Sequence, residues 1–258
     1  MPNRYMLGAQ VDIGNEREKQ EDYVQFLELD DNNLLCVIAD GTGSTGRFQP
    51  AAIVTEFIKE QIEFIFNKDK KLFKQQPELF LEMAMRNANK LLGGFKLGNE
   101  ELYSGYAASV TCLLCSENNR IYFAHAGNTR LSLIRNGNIT NLTDDHTAAY
   151  KLLEDGEITE EQYYLHPGNL ELTSGIGVLL DPEIQTERGK IKETDILLLT
   201  TDGVHYSIQQ RFIPIIVLES DDVNSAASSL VSAAKGTKTF FDNISAAVIC
   251  LAPIGEEE

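Results

Sequence analysis

The sequence predicts an α+β fold with helices packed on sheet faces. Three observations carry this: apolar runs of strand length before residue 43, two long amphipathic segments between residues 50 and 92, and a return to short strand-like runs from Tyr106 onward. With 258 residues, 43% of them apolar and 24% charged, the chain can bury a large core. It reads as a single domain, 1–258, without internal repeat or linker.

Residues 5–12 (YMLGAQVD) form the first expected strand, followed by a polar connection from Ile13 to Asp22. Tyr23 to Leu29 alternates as a strand, Asp30 to Asn33 turns, and Leu34 to Ala39 is a run buried on both faces. Pro50 suits a helix start, where its missing N–H costs nothing, and AAIVTEFIKEQIEFIF after it has apolar residues at helical spacing. Lys68 to Gln76 is a basic connection, and a second helix is expected from Pro77 to Leu92, stopped by Gly93-Gly94. Strands follow in YAASVTCLLC, RIYFAHA and LSLIRNGNITNL, the last folded back at Asn136-Gly137. Asp144 to Tyr164 predicts two short helices broken near Gly156, then a loop LHPGNLELTSGIG. Strands around Gln185–Glu187 and Ile196–Thr200, a helix near Asn224–Ala234, a last strand Ile244–Leu251 and a frayed acidic end at 254–258 complete the chain.

Four apolar strands carry acid at one end. Asp40 ends the central strand and is followed by Gly41; Asp202-Gly203 repeats the pattern; Asp242 precedes the last strand; Glu21 and Asp22 precede the second. Any one Asp-Gly pair alone is an ordinary turn. As a set, the acids would share one rim, and two carboxylates about 4 Å apart repel by roughly 4 kcal/mol at an effective dielectric near 20. Such a rim calls for cations, and hard divalent ions such as magnesium or manganese prefer oxygen ligands of this kind.

A net charge of −17 disfavours nucleic acid and anionic membranes as partners. The N-terminus lacks the apolar core of a signal peptide and no run reaches membrane-span length, so a cytoplasmic location is expected. Cys36, Cys112, Cys115 and Cys250 lie in apolar runs and read as reduced core thiols. Cys112 and Cys115 have CxxC spacing, but residues three apart on a strand point to opposite faces, which argues against zinc or redox pairing.

The segments DIGNEREKQED, VIADGTG, IYFAHAGNTR, LTDDH, DGEITEEQYYLHPGNLELTSGIG, ILLLTTDG and FDNISAAVI, taken in order, resemble the metal-dependent protein serine/threonine phosphatases of type 2C, particularly the short bacterial members. The resemblance runs from about Asp12 to Ile249. It implies a four-layer αββα sandwich of two mainly antiparallel sheets flanked by helix pairs, with the site in a cleft at one end. It implies two divalent cations, manganese or magnesium, with Asp40 bridging them and Gly41 a ligand through its carbonyl. By motif, Glu21 and Asp22 serve one ion, Asp202 and Asp242 hold the other, and Arg17 grips the substrate phosphate through its planar fork of donors. A metal-bridging water would attack phosphorus directly, hydrolysing phosphoserine or phosphothreonine in proteins. Residues from about 145 to 177 match the flap beside the cleft. Phosphorylated proteins, a cognate serine/threonine kinase among them, are the implied partners of a monomeric signalling enzyme.

Departures from the pattern sharpen the reading. Asn128 stands where relatives have an aspartate that helps bind a third ion, so a third ion should bind less well or through Asp202 and waters alone. Thr42 replaces a histidine found in some relatives, leaving a metal-bound water as the acid for the leaving group. Ser44, Phe48, Ser174 and Gly175 also depart from the family pattern. Asn128 and Ser44 define the alternative, a phosphatase-fold module that binds phosphoproteins with weak turnover; Glu21, Asp22, Asp40, Asp202, Asp242 and Arg17 favour the enzyme. A haloacid-dehalogenase reading of VIADGT fails because its nucleophile position is Ile38. Among the histidines, His125 reads as packed, His146 as a helix-start cap and His166 as a turn residue, while His205 is close enough to Asp202 to be weighed as a proton donor. Arg130 is expected in a surface ion pair, and Lys68, Lys70, Lys71 and Lys74 on a solvated face.

Overall fold

The computed structural model describes residues 4–45, 48–98, 100–103, 105–237 and 241–252; the expected frayed end at 254–258 lies outside them. The elements run β1 (Tyr5–Asp12), β2 (Asp22–Asp30), β3 (Asn33–Thr42), α1 (Pro50–Lys68), α2 (Lys70–Gln75), α3 (Pro77–Gly98) and α4 (Glu100–Tyr103). They continue as β4 (Ala107–Ser116), β5 (Arg120–Ala126), β6 (Arg130–Arg135), β7 (Asn138–Asn141), α5 (Ala148–Glu154), α6 (Glu160–Tyr163) and β8 (Gln185–Lys190). The chain ends with β9 (Ile196–Thr200), α7 (Asp202–His205), α8 (Ile213–Leu218), α9 (Val223–Thr237) and β10 (Ile244–Leu251).

The strands form two five-stranded antiparallel sheets, β1-β10-β9-β6-β7 and β2-β3-β4-β5-β8. Because side chains alternate along a strand, each central strand feeds two cores. Leu35, Val37 and Ala39 of β3 pack on Val54, Ile58 and Ile62 of α1 and Leu81 and Met85 of α3. Cys36 and Ile38 face Leu197, Leu199, Ala247 and Ile249 of the other sheet. Leu198, Ala246 and Val248 turn outward onto Val217 of α8 and Ala227, Leu230 and Val231 of α9. Helices, sheet, sheet, helices: this is the expected four-layer αββα sandwich.

Local chemistry explains the connections. Asn136 and Gly137 both have positive φ (53° and 76°), which produces the tight turn between β6 and β7. Cys112 lies in the helix-facing core and Cys115 between the sheets, and all four cysteines are free thiols. The lysines of the α1–α3 connection sit on the surface, with Lys70 paired to Asp30 and Lys74 Nζ 2.9 Å from Glu117 Oε1.

Two expectations need correction here. The basic connection Lys68–Gln76 contains a helix, α2, because Asp69 accepts the Leu72 N–H at 2.9 Å and Phe73 is buried between Phe66 and Phe80. The second helix does not stop at Gly93-Gly94 but runs to Gly98. Phe95 packs on Phe48, Tyr103 and Tyr106, and these tertiary contacts outweigh the low helix propensity of the glycine pair.

Candidate active site

The antiparallel pairing brings the acidic strand ends to one edge of the sandwich. Asp22 lies opposite Asp40 in the β2–β3 ladder, and Asp40 lies opposite Ser109 in the β3–β4 ladder. Gly41 lets β3 end against the start of α1: a Cβ there would meet Ala51 N at 2.9 Å and Glu21 O at 3.1 Å, and its own N–H donates to Glu21 O at 3.0 Å. Asp202 opens α7, and a Cβ on Gly203 would stand 2.0 Å from Asn243 O, so α7 lies directly on the segment that presents Asp242.

The sequence reading overlooked three residues that hold this arrangement. Asn243 Oδ1 accepts the Glu21 N–H at 2.7 Å, while its Nδ2 donates to Ile13 O at 2.8 Å and Lys19 O at 3.0 Å. The polar connection after β1 is thereby tied to the start of β10. Thr201 and Ser245 donate to Asp22 Oδ2 at 2.7 and 2.8 Å. Their trace in the sequence is slight: a hydroxyl beside Asp202, and one serine in an otherwise apolar strand.

Arg17, Glu21, Asp40, Gly41, Asn128, Asp202 and Asp242 line a cleft of about 220 Å³. Asp22 stands behind this wall, buried, and is held by the two hydroxyls. Burial, followed by repulsion from Asp202, Asp22 and Asp242, raises the Asp40 carboxyl well above its ordinary range. Burial and the neighbouring acids push Asp202 up to about 8 and Asp22 up to about 7. Asn128 Nδ2 donates to Asp202 Oδ2 at 3.2 Å, whereas Asp202 Oδ1 is buried without a hydrogen-bond partner. Arg17 Nη2 lies 2.5 Å from Asp242 Oδ2, so the expected phosphate grip and one expected metal ligand are paired with each other.

Among the described residues, no three His, Cys, Asp or Glu side chains form a ready-made ion-binding group. The donors nevertheless suit hard divalent cations: they are oxygen atoms, they repel one another, and one buried carboxylate oxygen has no partner.

The remaining sequence candidates fall away from the cleft. His125 is fully buried, with Nδ1 2.8 Å from Thr111 Oγ1 and Nε2 3.0 Å from Gly127 O, a packed residue as expected. His166 Nδ1 accepts the Gly168 N–H at 3.0 Å and starts the turn at Pro167–Leu170. His146 is not the cap of α5; Thr147 is, and His146 Nδ1 accepts the Gly127 N–H at 3.3 Å. His205 does not line the cleft: it is buried with Nδ1 3.0 Å from Thr200 Oγ1, and burial together with Arg130 pushes its pKa well below the usual value. It is held neutral and outside the cleft lining. Arg130 makes no surface pair. It is buried against Asp145, with Nε 2.8 Å from Oδ1 and Nη2 2.7 Å from Oδ2, beside Tyr163 and Tyr206. This fork joins β6 to the segment that leads into α5, and nothing local in the sequence announces it.

A cleft that gathers mutually repelling carboxylate oxygens and sets an arginine beside them is suited to a metal-dependent hydrolase of phosphate esters. Comparison with known proteins makes the class specific. The family described as protein phosphatase 2C matches residues 6–154, more than half of the chain. The protein phosphatase PhpP of Streptococcus pneumoniae is 28% identical over 249 residues, covering 93% of this chain and 95% of that protein. The serine/threonine phosphatase of S. agalactiae superposes with a TM-score of 0.83 at 21% identity, covering 96% of this chain and 100% of that one. The catalytic domain of the phosphatase PstP, in complex with two manganese ions, superposes with a TM-score of 0.75 at 21% identity, covering 96% and 99%. The chain belongs to the protein phosphatase 2C family. It is a metal-dependent protein serine/threonine phosphatase whose substrates are phosphoproteins. The binding-only alternative is not favoured.

Proposed function

We propose that the cleft would hold two divalent cations, manganese or magnesium, through Asp40, the Gly41 carbonyl, Glu21, Asp202 and Asp242, with Asp22 behind them contributing directly or through water. The observation that carries this reading is the convergence of acids from four chain segments on one edge of the sandwich, with Arg17 among them. The chemistry such ions supply is activation of water near neutral pH and stabilisation of charge on the phosphoryl oxygens. The protein's own part is positional. Thr201 and Ser245 hold Asp22 behind Asp40, Asn243 fixes Glu21 through its backbone, and Asn128 donates to Asp202 where relatives carry an acid. Arg17 binds the substrate phosphate in place of Asp242, since its half-exposed side chain lines the cleft and is free to exchange one anionic partner for another. Residues 145–177 act as the flap of a single domain spanning residues 1–258, fastened by the Arg130–Asp145 fork.

No described helix is long and apolar enough to cross a membrane, and the strongly negative charge sets the surface against nucleic acid and anionic lipid. The similarity to bacterial serine/threonine phosphatases supports an enzyme of signal transduction that reverses a serine/threonine kinase, and we take it to act as a monomer in the cytoplasm. The test is turnover of a phosphothreonine peptide with manganese, magnesium or chelator. Activity should require the metal and vanish in Asp40→Asn, and a gain in Asn128→Asp would locate the weakened third site. Turnover that persists in Asp40→Asn would refute the assignment.

A further inference from the structure

The cleft has two unlike walls. One is made of Arg17 and the acids; the other presents Leu170, Leu172 and Ala108. The apolar wall is built rather than incidental. The segment carrying both leucines is pinned by a single antiparallel bridge: Ala148 N–H donates to Glu171 O and Thr173 N–H to His146 O, both at 2.9 Å, and Leu172 bridges Thr147. Glu171 between them is extended, with φ −96° and ψ 97°. Leu170 closes the turn Pro167–Leu170 and Leu172 follows one extended residue later, and both side chains line the cleft. Ala108, at their foot, is fixed by paired 2.8 Å hydrogen bonds with Ile176. Leu170 is 62% exposed where it lines the cleft, so its side chain is open to a ligand.

We propose that Leu170 and Leu172 select phosphoproteins carrying an apolar side chain directly beside the phosphorylated residue. This inference rests on the cleft being the phosphatase site. A substrate whose phosphate lies against the acid and arginine wall has its neighbouring side chain against the leucines, and only an apolar one gains by covering them. Leu170 and Leu172 are specificity residues; the reacting phosphate touches the other wall.

The experiment compares phosphothreonine peptides that differ only in Leu or Ser before or after the phosphorylated residue, with manganese present. The Leu peptide should be favoured about tenfold in kcat/KM in one of the two registers. Leu170→Ser and Leu172→Ser should bring that ratio to within about twofold, while Leu170→Met should keep it. Because the ratio is internal to each protein, a general loss of activity does not imitate a loss of preference. A parent ratio below about twofold in both registers, or an unchanged ratio in both serine variants, overturns the proposal. Hydrolysis of p-nitrophenyl phosphate separates the two readings. If the parent fails to hydrolyse it, the enzymatic reading falls, and the preference is then read from the Kd of the same peptides bearing a non-hydrolysable phosphonate. Tighter binding of the Leu phosphonate supports the apolar wall, and equal Kd values refute it.

Discussion

Replacing Asp202 by asparagine should make the metal-free protein more stable while abolishing its activity. Asp202 is only 4% exposed, and burial together with Asp242 and Asp22 pushes its carboxyl up to about 8 from an ordinary 3.8. The folded chain therefore keeps a proton that the unfolded chain has already lost, and metal-free stability declines as pH rises from about 4 through 8. At 1.36 kcal/mol per pH unit, the span of about four units sets a ceiling near 5–6 kcal/mol. Asp40 and Asp22 share the same repulsion, which reduces the separable part to about 2–3 kcal/mol. Asparagine keeps an oxygen to accept from Asn128 and carries no charge. With an unfolding entropy near 0.5 kcal/mol/K for a chain of this length, the melting temperature should rise by about 4–6 °C at pH 8. Thermal melts in chelator at pH 5 and pH 8 read this directly, and the gain should be much smaller at pH 5. An Asp202→Asn variant that melts no higher than the parent at pH 8, or that keeps the parent's pH slope, would refute the account of a carboxylate cluster strained by its own charge.

Other consequences follow from the same geometry. Asp145→Asn strands the buried Arg130 without its carboxylate and should cost about 3–5 kcal/mol, read as a lower urea midpoint. The parent itself should lose the stability of this fork only in strong acid, because Arg130 holds the Asp145 carboxyl down at about 2, so the contribution is present above the ordinary value and fades as pH falls toward 2. Gly203→Ala places a Cβ 2.0 Å from Asn243 O and should destabilise by about 1–3 kcal/mol while raising the manganese concentration needed for half-maximal activity. Ser245→Ala removes one of two donors to Asp22 and should move the acid limb of the activity–pH profile upward, because the ionised carboxylate loses support; an unmoved limb would show that Asp22 plays no part in the active form.

Much of this protein is legible in the chain itself. Strand and helix periods, the Asn136-Gly137 turn and the alternation that places Cys112 and Cys115 in different cores are local, and each survives in the fold. The acids could be found because each stands at one end of an apolar run, and a rule about strand ends needs no knowledge of which strands meet. Where a partner lies far away in sequence, local pattern is silent. The continuation of α3 through Gly93-Gly94 depends on Phe48, Tyr103 and Tyr106; the fork from Arg130 crosses to Asp145; Thr201 and Ser245 reach Asp22 from the other sheet; Asn243 gathers the connection after β1. The sequence by itself determined the strands, the helices and the α+β class, because those follow from periodicity and from what must leave water, while the four layers came from the family resemblance. Only the tertiary structure decided which hydroxyls, amides and arginine restrain the acids, because a buried polar group is satisfied by whatever the packed chain brings within hydrogen-bond reach.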